Sequence, residues 1–250
     1  MAPPETMQQR WRRLEPHAVR FGGRGAGPLV ILFHGCGGVQ GHLALYAERV
    51  ARAGGEAVVV DSYAPRGWAR AFGLALVCTG AAFHGRERAG DVLAAAHGLM
   101  AEGDPGRPLI LAGWSHGAWS IMDLMTMALT APGEAGLADP SDRPLRTLRS
   151  LFLAYPYGGV GALSRVRPWL RSPDIEAIAP LYDHVTDRRD AQRLYVRPSA
   201  AGCPISLWEP QARHSFDEPP GAVPWRRDGA LCAESLDRFS AYLDRVKTLG

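Results

Sequence analysis

Apolar runs and helix-period patterns alternate along the whole chain, which predicts a parallel sheet joined by crossover helices. Gly27-Pro28 opens the first clear strand, Leu29–Phe33, which ends in the turn sequence His34-Gly35-Cys36-Gly37-Gly38. A helix is expected over about 42–53, because Leu43, Tyr46, Ala47 and Val50 fall at i, i+3, i+4 and i+7. Gly54-Gly55 stops it. Residues 57–60 are apolar without alternation, as a strand buried on both faces should be, and they end at Asp61. The irregular stretch 62–84 is too long for an ordinary βα connection, a length that is often functional. Next come a helix over about 86–101, a strand over 108–112, a helix over about 118–129, a surface loop over 131–147 and a strand over 150–154. From residue 160 the pattern weakens. It still predicts a strand over about 176–182, a helix near 187–195, a strand Ile205–Trp208 and a last helix over about 233–246. Residues 1–14 read as an N-terminal extension and 15–250 as one domain.

Composition narrows the classes. The chain has 250 residues, 46% hydrophobic and 21% charged, which is globular and not disordered. No window approaches 18 consecutive apolar residues, so no transmembrane helix is expected. The arginines near the N-terminus have no apolar run behind them and do not form a signal peptide. Four cysteines without a C-x-x-C pair are too few for a disulfide scaffold or a structural zinc, so the default address is cytoplasmic. The net charge is +3, and Lys247 is the sole lysine. The arginines are interspersed with acids and form no single-signed stripe, which argues against nucleic-acid binding. The expected partner is a small molecule, with no membrane partner, and monomer and homodimer are both open.

The chemistry concentrates at Gly113-Trp114-Ser115-His116-Gly117, which matches G-x-S-x-G. With 29 glycines and 12 serines, chance alone supplies about 0.16 such matches. Its placement between an apolar strand and an apolar helix carries more weight, because that is the context of a nucleophile turn. A serine at the apex of so tight a turn takes strained dihedrals, and side chains two before and two after would collide. The following helix aims its N-terminal N–H groups and dipole at the same spot, where an oxyanion would develop. The plain alternative is a turn or capping serine.

A serine nucleophile needs a base after it in the chain and an acid between the two. His214, in a loop beyond the strand ending near Trp208, lies at the sheet edge that also holds Ser115. Asp183, at the end of the 176–182 run, is the first candidate acid. Asp187 is the second, and Asp174 and Glu209 stay open. His184 is read as a neighbour of the acid.

These segments resemble the dienelactone hydrolase family of the α/β-hydrolase superfamily. The resemblance rests on His34-Gly35-Cys36-Gly37-Gly38, Asp61-Ser62-Tyr63 with Arg66-Gly67, Gly113-Trp114-Ser115-His116-Gly117, Tyr182-Asp183-His184-Val185 and His214-Ser215-Phe216. It implies an α/β-hydrolase fold: a mostly parallel central sheet with helices on both faces. It also implies a Ser115–Asp183–His214 triad, with an oxyanion hole from the backbone N–H groups of Cys36 and His116. Founding members carry a cysteine nucleophile and a glutamate in the first-strand loop. Here Ser115 and Cys36-Gly37-Gly38 stand instead, and a serine favours ordinary esters.

Trp68, Phe72, Leu74 and Leu76 are candidates for a wall over the site, with Trp169 adding to it. The equal alternative is that they cover a hydrophobic edge. Phe216 with the aromatic residues of 62–84 points to a small, partly apolar substrate. Cys36 and Cys78 fall in loops beyond strand ends, where they could approach each other near the site; they read as free thiols, with a disulfide as the alternative in an oxidising compartment. Cys203 and Cys232 read as small apolar side chains. Trp114 and Trp119 read as core, and Arg86 with Arg88 as a solvated helix start. A zinc centre of His34, His116 and Asp61 matches no metal spacing, so neither metal nor organic cofactor is expected. The expectation is an ester or lactone hydrolase. An acyltransferase or peptidase using the same triad, and a non-catalytic small-ligand-binding relative, are the alternatives.

Overall fold

The computed structural model describes residues 4–25, 27–218 and 227–248. Among them seven strands form one sheet: β1 (Ala18–Phe21), β2 (Leu29–Phe33), β3 (Glu56–Val60), β4 (Leu109–Trp114), β5 (Leu148–Ala154), β6 (Asp174–Ile178) and β7 (Ile205–Trp208). Their spatial order is β1-β3-β2-β4-β5-β6-β7. Every neighbouring pair is parallel except β1 with β3. The helices are α1 (Met7–Leu14), α2 (His42–Arg52), the single turn α3 (Arg70–Phe72), α4 (Gly85–Met100), α5 (His116–Met125), α6 (Arg188–Leu194), α7 (Val196–Ala200) and α8 (Gly229–Thr248).

Successive strand residues serve two cores. Leu29, Ile31, Phe33, Leu109 and Leu111 pack with α1, α4 and α5. Val30, Leu32, Ile110, Ala112 and Phe152 pack with α2 and α8 on the other face. This double burial explains why the central strands read as unbroken apolar runs. The chain steps from β2 outward to β3, then returns past β2 to β4 and continues the other way. The loops after β2 and β4 therefore diverge, and a crevice opens at the carboxyl edge between them, where open α/β sheets bind ligands.

The N-terminus departs from expectation. Residues 7–14, read from the sequence as part of an N-terminal extension, form α1, and Met7, Trp11 and Leu14 are buried in the core against α4. Thr6 and Gln9 close its first turn reciprocally, a capping box. β1 was not anticipated either; it is a four-residue edge strand, mostly half-exposed, paired to β3 alone. β6 ends at Ile178, four residues early, because Pro180 has no N–H to continue the ladder. The backbone still runs beside the chain that leaves β7: Ala179 N–H donates to Trp208 O, Leu181 N–H to Pro210 O and Tyr182 N–H to Ala212 O. Two loops that leave adjacent strands are thereby kept together.

Candidate active site

The turn between β4 and α5 places Ser115 at φ +49° and ψ −110°, outside the regions open to most side chains. The flanking glycines make this possible. A Cβ on Gly113 would stand 2.5 Å from Ala118 N. One on Gly117 would press into Phe33 O and lie 2.7 Å from His34 O. The Ser115 hydroxyl donates to His214 Nε2 at 2.9 Å, and His214 Nδ1–H donates to Asp183 Oδ2 at 2.8 Å. Asp183 Oδ1 accepts the N–H groups of Val185 (2.7 Å) and Thr186 (3.0 Å). Burial alone would raise the Asp183 carboxyl. The hydrogen bond and charge of His214, with those two N–H groups, outweigh burial and hold it below its usual range. The other candidate acids are engaged elsewhere. Asp187 caps α6 through Asp190 N–H (2.9 Å), Asp174 begins β6, and Glu209 pairs with Arg188 (3.4 Å).

The loop carrying His214 is anchored by Asp217, a carboxylate that is 2% exposed. It accepts Tyr46 OH (3.0 Å), Trp114 Nε1–H (3.1 Å) and Tyr155 OH. Ser215 turns at φ +59°, which sends Phe216 into the core beside Trp208 and Tyr155. Phe216 therefore supports the loop from behind and does not line the site.

A cavity of about 350 Å³ opens over Ser115. Leu74, Val77, Trp119, Tyr157 and Val185 give it apolar walls, and Arg70, His184 and Glu218 add polar ones. The expected wall residues Trp68 and Phe72 are not in its lining. They stack on each other at 4.5 Å between ring centroids and pack behind it with Tyr63, Val77 and Phe83. Trp169 is buried in the core shared with α5. Trp114 is core as expected, whereas Trp119 is buried yet faces the cavity. Cys36 and Cys78 are joined as a disulfide, against the expectation of free thiols, and this ties the loop after β2 to the 62–84 segment. Cys203 and Cys232 are free and buried.

Cys36 and His116 line the cavity beside Ser115. As the first residue of α5, His116 has an N–H with no acceptor in its own helix. The Cys36 N–H makes no hydrogen bond to another described group. The two histidines near these donors are neutral by geometry. His34 Nδ1–H donates to Gly35 O (2.6 Å) and its Nε2 accepts Ser62 N–H (3.1 Å). His116 Nε2–H donates to Phe83 O (2.6 Å), while its Nδ1 accepts from Arg88 (3.0 Å). All four ring nitrogens are thus occupied, and Asp61 closes its own turn on the N–H groups of Tyr63 and Ala64. That leaves His34 and His116 no lone pair for a zinc ion. Burial, then the Arg88 charge, push His34 down to about 4 and His116 well below its ordinary value.

Arg88 is the residue sequence reasoning missed. It is fully buried, not solvated, and it donates to His34 O (2.7 Å), Ser62 Oγ (3.1 Å) and His116 Nδ1 (3.0 Å). Arg86 alone fits the expected exposed helix start. Three bonds to three separate segments leave no local sequence signal.

No protein-family model and no curated protein matches this chain. Solved structures do. A putative dienelactone hydrolase from Klebsiella pneumoniae superposes with a TM-score of 0.64 at 14% identity, covering 91% of this chain and 92% of that one. A dienelactone hydrolase-like promiscuous phosphotriesterase from metagenomic libraries gives 0.61 at 13%, covering 90% and 88%. Esterase 2 from Thermogutta terrifontis, phosphorylated by paraoxon, gives 0.60 at 16%, covering 92% and 88%. The architecture is the α/β-hydrolase fold, with a mostly parallel sheet and helices on both faces.

Proposed function

We propose that this chain is a serine hydrolase of the dienelactone hydrolase type that cleaves carboxylic esters or lactones. The observation that carries the proposal is the continuous line of hydrogen bonds from Ser115 Oγ through His214 to Asp183, opening on a largely apolar cavity. His214 Nε2 takes the Ser115 proton as Oγ attacks the carbonyl carbon, and Asp183 stabilises the imidazolium through Nδ1–H. The oxyanion is met by the N–H groups of Cys36 and His116, each worth about 3 kcal/mol of barrier. The tetrahedral intermediate expels the alcohol, which receives the proton from His214. Water then attacks the acyl-enzyme with His214 again as base, and the acid leaves. The structural relatives described above, a putative dienelactone hydrolase, a dienelactone hydrolase-like phosphotriesterase and an esterase, are named for ester-cleaving activities, which supports the same reaction class.

Leu74, Val77, Trp119, Tyr157 and Val185 take the place of Trp68, Phe72 and Phe216 as the surfaces that hold the apolar part of the substrate. No helix among the described residues is long and apolar enough to cross a membrane. The cytoplasmic address proposed from composition carries a redox condition. A reducing cytosol opens disulfides of this kind, so the Cys36–Cys78 bond belongs to an oxidising setting. Alkylation and mass spectrometry of the freshly isolated protein report which form is present.

The test is Ser115→Ala. It is expected to lower p-nitrophenyl acetate turnover by about 10³ to 10⁶ with the fold intact, and to abolish labelling by a fluorophosphonate probe. Near-normal turnover by that variant discards the assignment. A folded wild-type protein that takes no label at Ser115 favours a ligand-binding relative. Competition between water and added alcohols or amines separates hydrolysis from acyl transfer.

A further inference from the structure

Arg88 sits where the two proposed oxyanion donors meet, although it touches neither the cavity nor Ser115. From the start of α4 its guanidinium reaches the carbonyl of His34, two residues before Cys36, and the ring of His116. A third bond, to Ser62 Oγ, holds it against the end of β3. A guanidinium only donates, so His116 Nδ1 must accept; the tautomer of that ring, and its bond to Phe83 O, follow from Arg88. Removing this one side chain would remove its bridge between the loop after β2 and the turn after β4.

The charge matters as much as the reach. Arg88 is buried, its Nη2 has no hydrogen-bond partner, and no carboxylate lies within ion-pairing distance of it among the described residues. Asp91, further along the same helix, is taken up by Arg10 and Arg66. His34 and His116 beside it are neutral, and the two carboxylates whose charge reaches the guanidinium, Asp91 and Asp61, make no direct ion pair with it. A buried cation without a paired acid is costly, and the cost falls where negative charge would appear on the substrate oxygen.

We propose that Arg88 is a positioning residue of the oxyanion hole, setting the relative placement of the Cys36 and His116 N–H groups and polarising both through the groups it binds. The inference rests on the ester hydrolase function proposed above. The carbonyl of a bound ester is neutral and the tetrahedral intermediate is anionic, so the effect of Arg88 falls on the transition state. It belongs in kcat and not in KM.

The experiment compares wild type, Arg88→Met and Arg88→Lys on p-nitrophenyl acetate, with circular dichroism as the check of folding. Arg88→Met is expected to lose about 10²-fold in kcat with KM within about threefold, the size of effect seen when an oxyanion donor is removed. Arg88→Lys, which keeps the charge but not the fork, is expected to recover about tenfold of that loss. In ¹⁵N spectra His116 Nδ1 is expected to be an unprotonated acceptor in wild type and to shift in Arg88→Met. Should Arg88→Met fail to fold, Arg88→Lys and the His116 tautomer carry the decision. Equal losses in the Lys and Met variants, a loss confined to KM, or an unchanged His116 ring each overturn the role of Arg88 while leaving the hydrolase function standing. A wild type without esterase activity or Ser115 labelling removes the function itself, and this role with it.

Discussion

Asp123, on α5 two turns beyond the Ser115 elbow, should make the protein less stable as pH rises towards neutrality. Its side chain is fully buried; Oδ1 accepts Ser164 N–H at 3.0 Å, and Oδ2 has no partner among the described residues. Burial raises the carboxyl from 3.8 to about 7, with the Ser164 N–H pulling only partly the other way. The folded pKa thus lies above the unfolded one, so the contribution is intact below about pH 4 and is lost as pH rises through 7. Between those limits the unfolded chain releases a proton that the folded chain keeps. Stability then falls by about 1.4 kcal/mol per pH unit, about 4 kcal/mol in all. Asp123→Asn keeps an acceptor for Ser164 N–H and carries no charge. Its stability relative to wild type should therefore climb by about 4 kcal/mol between acid and neutral pH. Urea unfolding of both proteins across that range, at fixed ionic strength, measures the difference directly. Titrations elsewhere in the chain are common to both and cancel. Parallel curves for the two proteins would refute the reasoning, because they would mean that Asp123 ionises as freely folded as unfolded.

Other outcomes follow from the same geometry. Asp183→Asn should cost about 10⁴ in kcat by releasing His214 from its tautomer, and esterase assays at neutral pH check it. Burial and the Arg88 charge hold His34 neutral down to about 4, below its unfolded value. Stability should accordingly drop by about 3 kcal/mol from this ring alone as pH falls from about 6.5 to 4; an NMR midpoint for His34 near 6.5 would contradict this. Reducing Cys36–Cys78, which are 42 residues apart in sequence, should lower stability by about 4 kcal/mol in urea melts with and without a phosphine reductant.

The sequence was most legible where main-chain geometry dictates residue type. Gly113, Ser115 and Gly117 announce the turn, and the apolar runs of β2, β3 and β4 announce the buried sheet. Asp183 could be found although its strand was placed too long, because the chain past Ile178 still tracks the loop that leads to His214. α1 was readable and overlooked: Thr6 and Gln9 form a capping pair, and Met7, Trp11 and Leu14 share one helical face. β1 offered little, since four half-exposed residues carry no strong period. Phe216 deceived because one left-handed residue, Ser215, decides whether the next side chain faces the cavity or the core. Arg88 lay beyond any local pattern, since its burial depends on acceptors from three distant segments. The approach of Cys36 and Cys78 was legible, both lying in loops beyond strand ends, but the choice between thiols and a disulfide depends on compartment and leaves no local pattern.

The two glycines of the elbow also constrain how this protein can diverge. At Gly85 an added methyl would strike the ring of Trp119, and at Gly98 that of Trp11, so a smaller partner can make room in either case. At 113 and 117 the obstacles are peptide atoms of residues 118, 117, 33 and 34, which every amino acid possesses. No compensating change at another site can trim them. Paired-substitution libraries should therefore recover folded variants altered at 85 or 98 but none at 113 or 117, and descendants of this chain can abandon those glycines only by abandoning the bend.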